Sequence, residues 1–151
     1  MKRAAVTGLL VLLSAVWLRA FDLQYGSLFT VRGITSVKGR PVLPLSRGKY
    51  ANVRVLDKET FALLKTCAPS CMQEGEGKIQ LRQLRVAKTR PDMWIADVAV
   101  DERWLLTFLV FKNKDGFSFI VPQDVHILQA RWLDELKALI QTQISDGEKR
   151  K

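Results

Sequence analysis

The sequence has few of the side chains that usually carry chemistry. Its 151 residues include one His and two Cys, with no Gly-x-Ser-x-Gly motif and no phosphate-cradling glycine loop. A nucleophile needs a base with its own orienting partner, and a structural zinc site needs four ligands. The sequence therefore predicts no catalytic set, no metal site and no cofactor, and it favours a protein that is not an enzyme.

Acidic residues are absent from the first 20 positions, where Met1-Lys2-Arg3 precedes the uncharged run 4–18. A basic start, an apolar run and a polar exit are typical of an export signal. As a helix the run would span about 22 Å, less than the ~30 Å hydrocarbon core, which favours cleavage after Ala20 over a membrane anchor. Two alternatives stay open: an uncleaved signal-anchor that contacts the membrane through residues 4–18, and a buried helix of a cytosolic protein.

Export would place the chain in the periplasm, or anchored in the inner membrane facing outward. In such an oxidising space two Cys are more often bonded than free, so we predict a disulfide between Cys67 and Cys71. The three-residue spacer Ala-Pro-Ser can close if it forms a turn. A redox-active or metal-binding pair, and free thiols, are the alternatives.

The composition is that of one globular domain, with 48% apolar and 26% charged residues. Three of the 24 basic residues lie in the first 20, so the remainder has 21 basic and 15 acidic residues, a net charge of +6. We place the domain at residues 21–146 and a charged tail at 147–151. The charge excess favours anionic surfaces but is too small to indicate nucleic-acid binding.

The densest basic run lies between positions 78 and 90. Charges near alternate strand positions usually form a solvated face, and the functional alternative is a docking patch for lipid head groups, an acidic protein or nucleic acid. The aromatic residues lie in apolar stretches, so they do not offer the stacking platform that nucleic acid requires. The candidate patch consists of Lys78, Arg82, Arg85, Lys88 and Arg90.

A three-stranded meander organises the domain. Its central strand, 104–111, is apolar on both sides of the pleat, which predicts cover on both faces. The turn 101–103 joins it to strand 93–100, and Asp115-Gly116 predicts a hairpin into 117–121. The second apolar face leaves room for a lipid-like ligand pocket or an oligomer interface.

Several further elements follow from local patterns. We predict strands at 28–34 and 50–56, a helix at 58–66 that is capped by Asp57 and buries Phe61 and Leu64, and a flexible polar loop at 73–77. A change of apolar parity in strand 78–88 predicts a β-bulge near Arg82-Gln83.

The strongest helical pattern follows at 129–144 and stops at Ser145-Asp146-Gly147. A brief strand at 125–128, or a helix cap at Asp124, precedes it. The apolar stripe of this helix predicts packing on the sheet, with a mobile helix over a groove as the alternative. The stripe consists of Leu128, Trp132, Leu136, Leu139 and Ile140.

Two single residues are better explained by structure than by catalysis. His126 lies between Val125 and Ile127 without an evident partner. Asp97 shares its strand face with apolar residues, and we expect it to pair with Arg82 or Arg85 across strands.

Together these patterns predict an α+β fold: an antiparallel, meander-rich sheet of five to seven strands, with the C-terminal helix on one face. The leading functional hypothesis is a non-enzymatic exported domain that binds an envelope protein or an apolar ligand. The alternatives are an envelope redox or metal-handling protein that uses Cys67 and Cys71, and a cytosolic basic binding protein.

Overall fold

A computed structural model of the chain describes residues 20–44 and 53–151. These residues form ten strands in two sheets and two helices, so the predicted α+β class is confirmed. The first sheet consists of β1 (Phe21–Tyr25), β2 (Phe29–Val37), β3 (Arg40–Val42), β5 (Ser70–Gln73) and β10 (Val125–Ile127). The second consists of β4 (Val53–Val55), β6 (Ile79–Ala87), β7 (Arg90–Val100), β8 (Trp104–Asn113) and β9 (Gly116–Ile120).

The predicted meander is the centre of the second sheet. β7, β8 and β9 pair in antiparallel fashion, and β6 and β4 extend the sheet on either side. The predicted bulge in β6 is also present, because the register with β7 shifts between Leu81 and Gln83. The extra residue turns both apolar halves of β6 towards the same side.

The structure differs from the sequence prediction in dividing the strands between two sheets. β1 forms an antiparallel pair with β2 and a parallel pair with β5. This parallel pair joins segments almost fifty residues apart in the chain. Strand propensity describes each segment but does not specify which distant segment it pairs with.

The C-terminal helix α2 (Ala130–Lys149) packs its predicted stripe into the core, where Trp132, Leu136 and Ile140 are buried. Leu128 lies before the helix and is 44% exposed. The predicted stop at Ser145-Asp146-Gly147 is wrong, since the helix continues to Lys149. Glu148 in this last turn accepts two hydrogen bonds from the Lys112 ammonium, at 2.8 and 2.9 Å, which holds the turn against β8.

The short helix α1 (Lys58–Leu64) begins as predicted. The Asp57 carboxylate accepts a hydrogen bond from the Thr60 backbone N–H at 3.3 Å. The helix buries Thr60 and Leu64, which lie one turn apart, whereas Phe61 is 39% exposed. Phe61 is displaced about 100° around the helix from Thr60, so the expectation that it would be buried is wrong.

One core joins the two sheets and α2. Its centre is an aromatic group in which Phe29 stacks on Tyr25 at 5.0 Å and on Trp132 at 5.5 Å between ring centroids. Trp104 meets the edge of Phe29 at 6.4 Å. Strands from both sheets and the helix therefore contribute rings to one cluster.

The second face of β8 is covered by side chains of its own sheet. Met93 and Ile95 of β7 are buried there, with Leu109 and Phe111 packed against them. The Arg90 guanidinium lies over the Phe111 ring at 5.0 Å. Long charged side chains can bury apolar surface along their stems, so cover on this face does not require a second helix.

Among the described residues, no helix has the length and apolar character needed to cross a bilayer. The predicted signal or anchor at 1–20 lies outside the described residues except for Ala20, and residues 50–52 of the predicted strand 50–56 lie outside them as well.

Candidate functional site

The two cysteines lie at disulfide distance, with 4.9 Å between their Cα atoms. Cys67 follows α1 and is 6% exposed, while Cys71 belongs to β5. The pair therefore ties the end of α1 to the first sheet. A redox-active cysteine works as an accessible thiolate, so this burial favours a structural link.

The remaining sequence candidates for catalysis or metal binding are not brought together. Within residues 20–44 and 53–151, no three His, Cys, Asp or Glu side chains converge on a point where they could hold a metal ion. His126 is exposed on β10. Asp97 is buried at 7% exposure, accepts a hydrogen bond from the Thr107 hydroxyl at 2.6 Å, and lies 3.7 Å from the Arg85 guanidinium as predicted.

The predicted basic patch is interleaved with carboxylates. Of its five members, Lys88 lies in the exposed turn between β6 and β7 and the other four form ion pairs. The pairs are Lys78–Glu76 at 2.8 Å, Arg82–Glu102 at 3.1 Å, Arg85–Asp97 at 3.7 Å and Arg90–Asp92 at 3.2 Å. Most of the positive charge is thus neutralised locally, as in a solvated face.

A polar clasp joins the two sheets at the turn between β7 and β8. The Asp101 carboxylate accepts hydrogen bonds from the Tyr25 hydroxyl, from the Gly77 N–H at 2.9 Å and from the Lys78 N–H at 2.8 Å. Asp101 itself has φ of 49°, a left-handed backbone that costs about 1 kcal/mol in a non-glycine residue. Three hydrogen bonds to one carboxylate offset that strain.

The predicted flexible loop at 73–77 is instead a strap within this clasp. Gln73 accepts a hydrogen bond from the Trp104 indole at 2.9 Å and donates one to the Thr60 hydroxyl at 2.8 Å. The Gly77 carbonyl accepts from the Trp132 indole at 3.0 Å. The strap therefore contacts α1, β8 and α2 together.

Gly75 is required by close packing within the strap. A Cβ atom at this position would lie 1.9 Å from the Tyr25 hydroxyl oxygen, far inside van der Waals contact. The polar sequence Gln-Glu-Gly-Glu-Gly resembles a linker in composition, but its glycine allows the backbone to approach the tyrosine.

The clasp shifts two pKa values. Burial raises the pKa of the Asp101 carboxyl, but the hydrogen bonds from Tyr25, Gly77 and Lys78 outweigh this effect and leave the pKa below its usual value. Burial, followed by the hydrogen bond to Asp101, raises the pKa of the Tyr25 phenol well above its usual value. Tyr25 therefore donates to an ionised Asp101 at neutral pH.

The groove beside the clasp, with a volume of about 910 Å³, has partners within the fold for most of its charges. Glu76 pairs with Lys78, Glu102 pairs with Arg82, Asp101 is held by the clasp, and Arg103 donates to the Glu74 carbonyl. Within the described residues the Glu74 carboxylate alone of these acidic groups has no partner, so the groove directs few free polar groups at a ligand.

A second groove opens at the opposite end of the β7–β8 pair, beneath the last turns of α2. We name it the helix-end groove; its volume is about 910 Å³. Leu84, Val86, Trp94 and Ile144 line its apolar floor, and Val86 is 44% exposed. Gly147 also lines the groove, and a Cβ placed on it would have no heavy atom within 4 Å apart from those of its own helix backbone, so the last turn leaves open space there.

Charged residues form the rim of the helix-end groove. Lys112, Lys114 and Lys151 contribute three positive charges, and Asp92 and Glu148 two negative ones. Lys112 is paired with Glu148 and Asp92 with Arg90. Within the described part of the chain, Lys114 and Lys151 form no ion pair, so the rim presents two cations beside an apolar floor.

The sequence patterns do not predict this groove. They place Val86 and Trp94 within the strands 78–88 and 93–100, and they predict a helix stop at Gly147. The available signal was the apolar pair Val86 and Trp94, in register on β6 and β7, together with a glycine near the end of the helical pattern.

Comparisons with protein-family models, with curated proteins and with solved structures find no match for this chain.

Proposed function

We propose that this protein is a non-enzymatic binding domain of the cell envelope, and that its ligand is an amphiphilic anion with one hydrocarbon chain. The observation that carries the proposal is the helix-end groove, where the half-exposed Val86 and the partly buried Leu84 and Trp94 adjoin two lysines, Lys114 and Lys151, that form no ion pair within the described residues. Hydrocarbon on the floor and a carboxylate or phosphate at the rim would satisfy both parts.

Location in the envelope is supported by the sequence of residues 1–20 and by the Cys67–Cys71 pair. A basic start followed by an uncharged run is typical of exported proteins, and a linked cysteine pair is most common in oxidising compartments. Cell fractionation combined with the intact mass of the native protein tests this part. Recovery in the cytosol with Met1 retained would contradict it.

Dodecanoate is a suitable first probe for the groove. We expect saturable binding by calorimetry, tightening along the series octanoate, decanoate, dodecanoate. Each CH₂ group that enters the groove contributes up to about 0.8 kcal/mol, or roughly fourfold in affinity. If none of the three fatty acids binds at 1 mM, which is below the micelle concentration, the proposal is contradicted.

Gly147 offers a matched pair of variants. In Gly147→Leu the added side chain would fill the space above Val86 and Trp94, so we expect at least a tenfold loss of affinity. Gly147→Ala adds one methyl group and serves as the control, with near-normal affinity. Equal affinity in both variants would place the ligand elsewhere.

The rim is tested separately with Lys114→Gln and with dodecanol, which has the same chain but no charge. An exposed ion pair contributes about 0.2–1 kcal/mol, so dodecanoate should bind up to fivefold more weakly to the variant. Dodecanol should bind both proteins equally. A loss for both ligands would show that the lysine contributes something other than its charge.

A further inference from the structure

A second cationic surface lies on the first sheet. We name residues 35–42 the β2–β3 arm: it comprises the end of β2, a two-residue turn and β3. The turn residues Lys38 and Gly39 both have positive φ, 49° and 74°. Such turns match the twist of a hairpin, so Lys38 is held at the tip.

One face of the arm combines apolar and cationic side chains. Val37 is opposite Arg40 in the register and Thr35 is opposite Val42, so all four lie on the same face. Val37 is 45% exposed and Val42 38% exposed. A hairpin with exposed valines beside an arginine and a lysine is suited to a surface that is both anionic and partly apolar.

The chain segment that contains the arm has charges of one sign. The sequence contains no Asp or Glu from Leu23 to Leu56, whereas it has six Lys and Arg in that stretch. Asp22, just before it, accepts a hydrogen bond from the Gly33 N–H at 3.1 Å. Within the described residues Lys38 and Arg40 form no ion pair, whereas four cations of the run 78–90 pair with carboxylates that lie outside that run.

The arm extends beyond the point where the chain enters the domain. Phe21, the first residue of β1, is opposite Ile34 of β2 in an antiparallel pair. Residues 35–37 therefore continue about 10 Å past Phe21, at the rise of a strand. Two residues, Arg19 and Ala20, separate the apolar run 4–18 from β1.

We infer that the β2–β3 arm contacts the surface of an anionic phospholipid bilayer. The inference rests on the proposed envelope location but not on the ligand of the helix-end groove. A bilayer is favoured over an acidic protein because the exposed Val37 and Val42 share one face with Arg40, and only a bilayer offers acyl chains beneath its anionic groups. Lys38 and Arg40 face the head groups, and Val37 reaches the interface between head groups and acyl chains.

The test is co-sedimentation of the protein, in the form that its cells process, with vesicles of 30% phosphatidylglycerol in phosphatidylcholine. We expect binding to these vesicles, loss of binding in 0.5 M NaCl, and none to phosphatidylcholine alone. In the variant Lys38→Asn with Arg40→Gln the affinity should fall about 30-fold, since each cation near the surface contributes roughly fivefold. Asn tolerates the positive φ at position 38.

The control is Lys149→Gln with Arg150→Gln, which removes the same charge from the end of α2 and should retain most of the affinity. An equal loss in both double variants would show a response to net charge and would overturn the inference, as would equal binding to both vesicle types. Gly147→Leu should bind vesicles normally, so failure of the groove and failure of the arm are distinguishable. Circular dichroism and thermal unfolding confirm that each variant is folded.

Discussion

The two ends of the β7–β8 pair are built in opposite ways. At the turn end, Asp101, the strap 73–77 and Tyr25 join both sheets through hydrogen bonds, and no room is left for a Cβ on Gly75. At the other end, Val86 and Gly147 border open space. The same two strands thus carry a closed end that stabilises the fold and an open end that is available to a ligand.

Replacing a glycine with alanine at each end gives the largest expected difference in the free energy of unfolding. Gly75→Ala should lower the free energy of unfolding by about 3 kcal/mol, because the methyl group overlaps the Tyr25 hydroxyl in a packed site. Gly147→Ala should raise it by up to about 1 kcal/mol, since alanine is the better helix former and has space. Urea unfolding of both variants measures the contrast. Similar values would contradict the view that only one end is closed.

Removing the cysteine pair next to the strap should cause the second-largest change in the free energy of unfolding. Cys67→Ser with Cys71→Ser should lower the free energy of unfolding by about 2 kcal/mol, the value expected for so short a closed loop. Binding of dodecanoate at the open end should be unchanged. If function is lost while thermal stability is retained, the redox hypothesis replaces the structural one.

Asp101→Asn should lower the free energy of unfolding by about 1.5 kcal/mol at pH 7, because the amide accepts weaker hydrogen bonds than the carboxylate. The lowered pKa of Asp101 means that its stabilisation is fully present above its unfolded pKa of about 4 and is lost as the pH falls. The difference between wild type and variant should therefore shrink at pH 3. A difference independent of pH would contradict the role of the charge.

At alkaline pH the clasp depends on Tyr25. Its raised pKa keeps the phenol protonated in the folded state, so this contribution is complete below the unfolded pKa of about 10 and is lost as the pH rises further. Tyr25→Phe retains the ring that stacks on Phe29 but lacks the ionisable group. It should remove this alkaline dependence, and unfolding measured between pH 8 and 11 checks the expectation.

Local patterns were reliable where one segment decides its own structure. The meander, the bulge at Leu81–Gln83, the Asp57 cap and the buried face of α2 all follow from side-chain periodicity or from a single capping residue. Pairing of Asp97 with Arg85 follows from their alignment on neighbouring strands. In each case the determining residues are close in sequence or lie on neighbouring strands joined by a short turn.

Local patterns gave wrong predictions where contacts with a distant segment determine the structure. Gln73–Gly77 has the composition of a linker, yet contacts from Tyr25, Trp104 and Trp132 make it a strap. Glycine often ends a helix, yet α2 continues past Gly147 to Lys149. No local pattern predicts the helix-end groove, because its floor and its rim come from β6, β7, β8 and α2.

The sequence alone determined the element types, the α+β class and the absence of familiar catalytic motifs, because periodicity, caps and turn residues act over a few positions. Only the tertiary structure decided that the strands divide into two sheets, that Asp101 fastens one end of them, and that the other end stays open. Those features depend on which surfaces meet after the chain has folded. Burial against distant residues gives Gly75 and Asp101 structural roles, and no local sequence pattern marks them for those roles.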